Sequence, residues 1–424
     1  MKFFVCILGL LITITGIAFA GGTWVDTTFV PPSLGVEKDV VLYLPEGYNP
    51  GGTIDYPVIY WLHAWGGTQS SYIAYTKTSL DSLISSGQIQ PVIVVKPNGW
   101  CEPYDGSMWV NSELYGDYED YVVFDLVDFV ESSFCAISDP EYRCIAGHSM
   151  GGAGSMHIAL VHTDRYKAVA SHAGFQDICV AMPLFLPAVL EECPETEPPY
   201  TYDWGNGSYT DGLFLYGGAY SPNLSAPDSV DFILDENGLV IDSVYALWEL
   251  FYPAHMVKQM SLPVDLDIFF DCGTNDWWIG CYESNCSYAD TLTDLGIDHE
   301  FQSLAGTGHG MNLSRFIEEF LFLGEAMTGI SETTELPASI ILEPAFPNPF
   351  TTSTSLRFEL SEPGHATLKV FDLSGRLVTT LIEGELQGGH HSVEFNAEDL
   401  HAGVYIYRLQ TVSAVQTRRC MVLR

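Results

Sequence analysis

Apolar residues along the first three quarters of the chain come in short, nearly continuous runs separated by helical stretches. "YPVIYWLHAW" (56–65), "PVIVVKPNG" (91–99), "YRCIAG" (142–147), "YKAVASHAG" (166–174) and "VDLDIFFDCG" (264–273) read as strands. Runs without polar alternation fit strands covered on both faces, so the pattern predicts a mostly parallel sheet of the α/β class. "YEDYVVFDLVDFVESSF" (118–134) has a different period. Val122, Leu126, Phe129 and Val130 fall on one face of a helix, and acids at its start suit the helix dipole. A last helix is expected over "LSRFIEEFLFLGEAM" (313–327). Residues 175–255 break the rhythm with prolines, glycines, aromatics and acids, and read as a loop-rich insertion capping a site.

Beyond "SETTELPAS" (331–339) the pattern changes to alternation. "TSLRFELSE", "HATLKVFDLSG", "HHSVEFNAED", "GVYIYRLQT" and "VQTRRCMVL" are separated by turn residues every ten or so positions, which predicts a small all-β, immunoglobulin-like sandwich. The expected organisation is a leader (1–20), an α/β domain (21–330), a linker (331–340) and a β-domain (341–424).

Charge supports that division. Residues 21–337 carry eight Lys or Arg against 45 Asp or Glu, whereas the tail from 338 has seven against nine. So acidic a body repels nucleic acid, anionic lipid and polyanionic substrates over a Debye length, and suits neutral ones. The charge equally suits solubility in a saline habitat. The start, MKFFVCILGLLITITGIAFA, has one cation, an apolar run and Ala-Phe-Ala before Gly21, the layout of a cleaved secretory signal. No other run reaches the roughly 20 apolar residues needed to span a bilayer, so the mature chain is expected to be exported and without a transmembrane segment.

Export makes disulfides permissible. Spacing offers Cys281 with Cys286 and Cys179 with Cys193, while Cys144 and Cys272 sit in apolar runs as buried thiols. Nine cysteines follow the leader, an odd number, so at least one is free or paired between chains. No C-x-x-C occurs, and no zinc or other metal site is expected.

Within "RCIAGHSMGGAGSMHIAL" (143–160), Ser149 occupies a G-x-S-x-G frame. With 39 glycines in 424 residues, chance produces such a match in about one chain in five, so the surroundings must decide. A strand before and a helix after give the sharp turn that exposes a nucleophilic hydroxyl at the carboxyl edge of a sheet. A serine needs a base, and in this architecture acid and then histidine follow it in sequence. His309, in the glycine-rich "AGTGHGMN", can return over the sheet edge; His255 and His299 read as structural. "IFFDCGTNDWWIG" supplies the acid, with Asp276 in the loop favoured over Asp271 at the strand end. The oxyanion donors are expected to be the backbone N–H of Met150 and that of Trp65 in "LHAWGG", with Ala64 second and His63 shaping the loop.

Four ordered segments, "PEGYNPGGTIDYPVIYWLHAWGG", "MWVNSELYGDYEDYVVFDLVDFVESSF", "CIAGHSMGGAGSMHIAL" and "WELFYPAHMVKQM…FFDCGTND", resemble the esterase D-type branch of the α/β-hydrolases. That branch includes feruloyl and acetylxylan esterases, S-formylglutathione hydrolases and mycolyltransferases. The resemblance covers about 37–325 and implies a Ser149, His309, Asp276 triad, an ester substrate and no cofactor. Ala64 stands where such esterases commonly carry glycine, which leaves the donor position open. The tail, through Pro347-Asn348-Pro349-Phe350, Ser374-Gly375-Arg376 and Gly403-Val404-Tyr405, resembles the C-terminal sorting domain of the bacterial type IX secretion system. It implies that machinery as a partner and release or attachment at the cell surface; an immunoglobulin-like accessory domain is the competing reading. The resulting expectation is a serine ester hydrolase acting on acyl or feruloyl esters of plant polysaccharides, with Trp100, Trp277 and Trp278 contacting substrate. An acyltransferase on the same triad and a non-catalytic carbohydrate-binding protein are the alternatives.

Overall fold

Eight strands build one twisted sheet: β1 (Thr23–Phe29), β2 (Lys38–Leu44), β3 (Val58–Leu62), β4 (Ile93–Pro97), β5 (Arg143–His148), β6 (Ala168–His172), β7 (Asp267–Gly273) and β8 (Glu300–Leu304). The computed structural model describes residues 21–261 and 264–328 and, between 340 and 422, the strands and most of their connections. The expected leader with Cys6, the linker up to 339, Pro349, Ser374 and Gly375 lie outside the described residues. The chain separates into two compact units, Met1–Ile330 and Ser331–Arg424.

The order across the sheet is β1-β2-β4-β3-β5-β6-β7-β8. From β4 to β8 all neighbours run parallel, while β2 is antiparallel to β4 and β1 to β2. Every residue of β3, β4 and β5 is buried, which is why their sequences show no polar alternation. The chain passes from β3 to β4 on one side and returns to β5 on the other. The carboxyl ends of β3 and β5 therefore flank a topological switch point, where open α/β sheets hold their ligands.

The helix expected over 118–134 runs to Ser133 with a wide π-type turn at Tyr121–Asp125, followed by α2 (Leu126–Ser133). The wide turn buries Tyr121, Val122 and Val123 in succession. Val122, Leu126 and Val130 have no exposed surface, each stabilising the fold by about 2 kcal/mol. Earlier in the chain, α1 (Ile73–Ser85) connects β3 to β4. Ser149 is followed by α3 (Met150–Val161).

The 175–255 segment is more helical than its prolines and glycines predict. It contains α4 (Ile178–Glu192), α5 (Ser208–Tyr220) and α6 (Asp242–Glu249). Pro183 and Pro187 lie inside α4, and burial of Ile178, Ala181, Met182, Phe185 and Val189 offsets the helix bonds they remove. After β7 come α7 (Cys281–Leu295) and, closing the unit, α8 (Leu313–Ala326).

The two disulfides suggested by spacing do not form. All nine described cysteines are free. Cys281 and Cys286 are five positions apart on α7, about 140° around its axis, so their side chains diverge. Cys179 and Cys193 stand at opposite ends of α4, about 20 Å apart and far beyond disulfide reach.

In the second unit, β9 (Ile340–Leu342), β10 (Ser353–Leu360) and β13 (Gly389–Asn396) form one sheet. The other has the order β12 (Leu377–Leu386), β11 (Gly364–Asp372), β14 (Gly403–Thr411), β15 (Val415–Val422). All pairings are antiparallel. Leu356, Phe358, Leu368, Val370, Tyr407 and Leu409 are buried between them, as the alternating pattern requires.

Candidate active site

Ser149 links β5 to α3 with φ 56° and ψ −116°, a strained left-handed conformation for a residue with a side chain. Its neighbours explain how the turn is tolerated. A Cβ on Gly147 would lie 2.2 Å from the Gly151 carbonyl oxygen, and one on Gly151 would lie 2.1 Å from that of Leu62. Only glycine fits at either place. The Ser149 amide donates to the His172 carbonyl at the end of β6 (2.8 Å), fixing the turn to the neighbouring strand.

His309 approaches from the loop between β8 and α8, and its Nε2 lies 2.8 Å from Ser149 Oγ. Its Nδ1 is 2.8 Å from Asp276 Oδ2. The other Asp276 oxygen accepts the Trp278 amide (2.9 Å), so the loop after β7 holds this carboxylate in place. Ser149, His309 and Asp276 thus form one hydrogen-bonded chain at the carboxyl edge, with the imidazole and carboxylate nearly sealed from water.

Sequence reasoning missed a second layer. His148 Nε2 donates to the His309 carbonyl (2.7 Å), and Arg315 on α8 donates to the same oxygen (3.2 Å) and to that of Gly310 (3.0 Å). Burial, helped by the nearby His309 and Arg315, holds His148 well below the ordinary imidazole range, so it is a neutral donor. Among the described residues, the Asp271 carboxylate meets side chains and no loop backbone. It receives Arg315 through both Nε and Nη2 and His172 Nδ1 at 2.8 Å. The sequence signal for His148 was its place in the serine motif; Arg315 had none. His255 pairs with Glu249, and His299 meets the Ile297 carbonyl.

Met150 is the first residue of α3, so its amide has no intrahelical acceptor. Among the described residues, the Trp65 amide donates to no backbone carbonyl either. His63 shapes that loop. Its Nε2 accepts the Gly99 amide (2.8 Å), so Nδ1 carries the proton and donates to the Ala64 carbonyl (2.8 Å). Burial pushes His63 down to about 4, and it stays neutral. Ala64 is not among the left-handed residues, so its methyl group fits where glycine is common.

At Ser149 lies a small cavity walled by Trp65, Met108, Met150, Ala153, Phe175, Gly212, Leu215, Tyr216 and Trp278. No charged side chain lines it. Phe175 and the α5 residues Gly212, Leu215 and Tyr216 bring the insertion into its lining. Trp277 is not among the lining residues; it is 60% exposed, with its ring 5.2 Å from that of His309. Trp100 is elsewhere: it lines a separate surface depression with Lys38, Asn98 and Tyr118, and not the cavity over Ser149.

Comparison with known proteins finds likenesses in both units of the chain. Residues 344–423 match the family described as "Secretion system C-terminal sorting domain", which places the protein among those exported from bacteria, released or held at the outer-membrane surface. The chain is 32% identical over 133 residues to an endo-1,4-beta-xylanase/feruloyl esterase of Xylanibacter ruminicola, covering 30% of this chain and 18% of that one. It is 25% identical over 151 residues to a Mycobacterium tuberculosis esterase, covering 34% and 31%. The chain therefore spans less than a third of the length of these curated relatives. A ferulic acid esterase structure superposes with a TM-score of 0.52 at 18% identity, over 72% of this chain and 98% of that one. An S-formylglutathione hydrolase from Agrobacterium tumefaciens gives 0.50 at 16%, over 74% and 99%. These two likenesses establish the α/β-hydrolase fold. Residues 32–276, including Ser149 and Asp276, match the family described as "Putative esterase", and the chain belongs to that family.

Proposed function

We propose that the protein is an exported serine ester hydrolase working through an acyl-enzyme on Ser149. The observation that carries this reading is the Ser149–His309–Asp276 hydrogen-bond chain, opening on an uncharged cavity. Ser149 Oγ attacks the ester carbonyl as His309 Nε2 takes its proton. Asp276 keeps the other proton on Nδ1 and stabilises the imidazolium. The amides of Met150 and Trp65 donate to the tetrahedral oxyanion. His309 then protonates the leaving alkoxide, and a water activated by the same imidazole frees the acyl group.

The cavity's uncharged, mostly apolar walls suit a neutral, largely apolar acyl group. Feruloyl and related acyl esters on plant polysaccharides are the proposed substrates, in keeping with the paired activities in the Xylanibacter relative's name. Trp278 is a wall of the acyl site, and Trp277 stands where the alcohol side leaves. In this reading, residues 21–330 are the esterase domain with 175–255 as its cap. Residues 331–340 are a linker, and 341–424 engage the type IX secretion machinery.

Hydrolysis of p-nitrophenyl acetate and methyl ferulate by the purified protein, beside Ser149→Ala, tests the reading. The substitution is expected to reduce kcat on the order of 10⁶-fold. Equal rates for the two proteins would sink the proposal. Free acid as the main product in the presence of added alcohol separates a hydrolase from an acyltransferase.

A further inference from the structure

The proposed mechanism leaves unused two buried thiols at the base of the acid loop. Cys272 lies near the end of β7 and Cys281 opens α7; neither has any exposed surface. Their sulfur atoms are 3.8 Å apart. Residues 274–280 between them form a single loop that carries Asp276, Trp277 and Trp278. Cys272 Sγ also lies 3.6 Å from Asp276 Oδ2, the oxygen that meets His309.

We propose that Cys272 and Cys281 are joined by a disulfide during export, clasping the loop that presents Asp276. The bridge itself rests on thiol geometry and an oxidising destination; only what the loop does rests on the esterase reading. Chemically, one thiolate attacks an incoming disulfide, of a protein oxidant or a small molecule, and the second thiolate resolves the mixed disulfide. A Cys272–Cys281 S–S bond forms, two protons leave, and the incoming disulfide takes the two electrons and departs as two thiols. Both thiols are sealed from solvent, and burial pushes that of Cys281 well above its ordinary range, so the folded pair is shielded from exchange. The exchange therefore takes place before β7 and α7 close on one another, and the finished bridge is beyond the reach of thiol reductants.

Spacing along the chain selects a different pair, because it takes no account of a loop folding back on itself. Cys272, Asp276 and Cys281 also lie close enough together to hold a soft divalent cation. A cation there would draw Asp276 away from His309, and a disulfide removes both sulfur ligands from competition.

The test is peptide mapping of the full-length exported protein, alkylated while denatured and unreduced. A linked peptide pair containing Cys272 and Cys281, with Cys286 alkylated, is expected. Dithiothreitol should cut the link only after urea is added. Cys272→Ala/Cys281→Ala should melt roughly 4 °C lower than the exported protein, and wild type refolded under reducing conditions should fall likewise. Alkylation of both Cys272 and Cys281 in the exported protein overturns the proposal, as does stoichiometric zinc in its place. The map needs no activity: a linked pair in a protein whose Ser149→Ala variant hydrolyses normally retains the clasp and discards the esterase.

Discussion

Two buried histidine–aspartate pairs lie side by side in this molecule, with the same first contact and opposite second ones. His309 Nδ1 meets Asp276 and His172 Nδ1 meets Asp271, each at 2.8 Å. The remaining nitrogen of His309 faces the Ser149 hydroxyl at 2.8 Å, whereas that of His172 faces the Glu319 carboxylate at 2.7 Å. A hydroxyl can give up a proton to the imidazole. A second carboxylate can only hold it charged. Although burial acts the other way, Asp271 and Glu319 raise His172 to about 9. Burial would likewise raise Asp271, but His172 and Arg315 hold it below its ordinary value. In the proposed mechanism the first pair cycles, and the second is a closed ionic cluster that reaches it through Arg315 and the His309 carbonyl. What the second nitrogen meets, more than the Asp–His contact itself, separates the two roles.

The sharpest way to break this comparison is to make the same substitution in both pairs. Asp276→Asn should lower kcat by about 10⁴-fold, because an amide can hold the wrong imidazole tautomer, while thermal stability changes little. Asp271→Asn should do the reverse. It leaves Arg315 and His172 buried with one partner fewer, costing about 3–5 kcal/mol, while kcat of the folded protein falls far less than in Asp276→Asn. Ester hydrolysis and denaturant melts on both variants read the two effects separately. A larger fall in kcat for Asp271→Asn would reverse the assignment.

How much of this could be read from the sequence follows from how local each cause is. The turn at Ser149 was legible because backbone approach dictates glycine at 147 and 151 within five residues of chain. Strands β3 to β7 were legible because burial on both faces erases polar alternation. The insertion was misjudged because prolines and glycines usually mark loops, while in α4 and α5 tertiary burial overrides that tendency. The cluster of His172, Asp271, Arg315 and Glu319 was invisible. It draws on three separate elements, β6, β7 and α8, and no periodicity relates them. The proximity of Cys272 to Cys281 was hidden for the same reason, and spacing drew attention to the wrong partner.

A pH series sharpens the comparison next. The raised pKa of His172 means that folding favours its protonated form. That contribution is fully present below about 6.5, its unfolded value, and is lost as pH rises through about 9. Asp271 and Glu319 are the charged groups bonded to it, and Arg315 pairs with the same Asp271. Thermal midpoints should therefore decline between pH 6.5 and 9.5 by an amount equivalent to a few kcal/mol. In His172→Gln the protein should be less stable at neutral pH, and this part of the slope should vanish. A slope unchanged by the substitution would place the titrating group elsewhere.

The smallest effects separate tryptophans that composition alone treats alike. Trp278 walls the cavity over Ser149, and its amide, not its ring, holds Asp276. Trp278→Ala therefore keeps the acid in place and removes apolar surface facing the acyl group. KM for methyl ferulate should rise roughly tenfold, the loss of about 1.4 kcal/mol of binding, with kcat changed less. Trp100 uses its carbonyl to hold Lys38 and Tyr118, and an alanine there retains that carbonyl. Because its ring lines a different depression, Trp100→Ala should leave both constants for small esters unchanged within error. An equal loss in the two variants would mean that the substrate extends from the cavity to that depression, and that the acyl site is longer than its enclosed part.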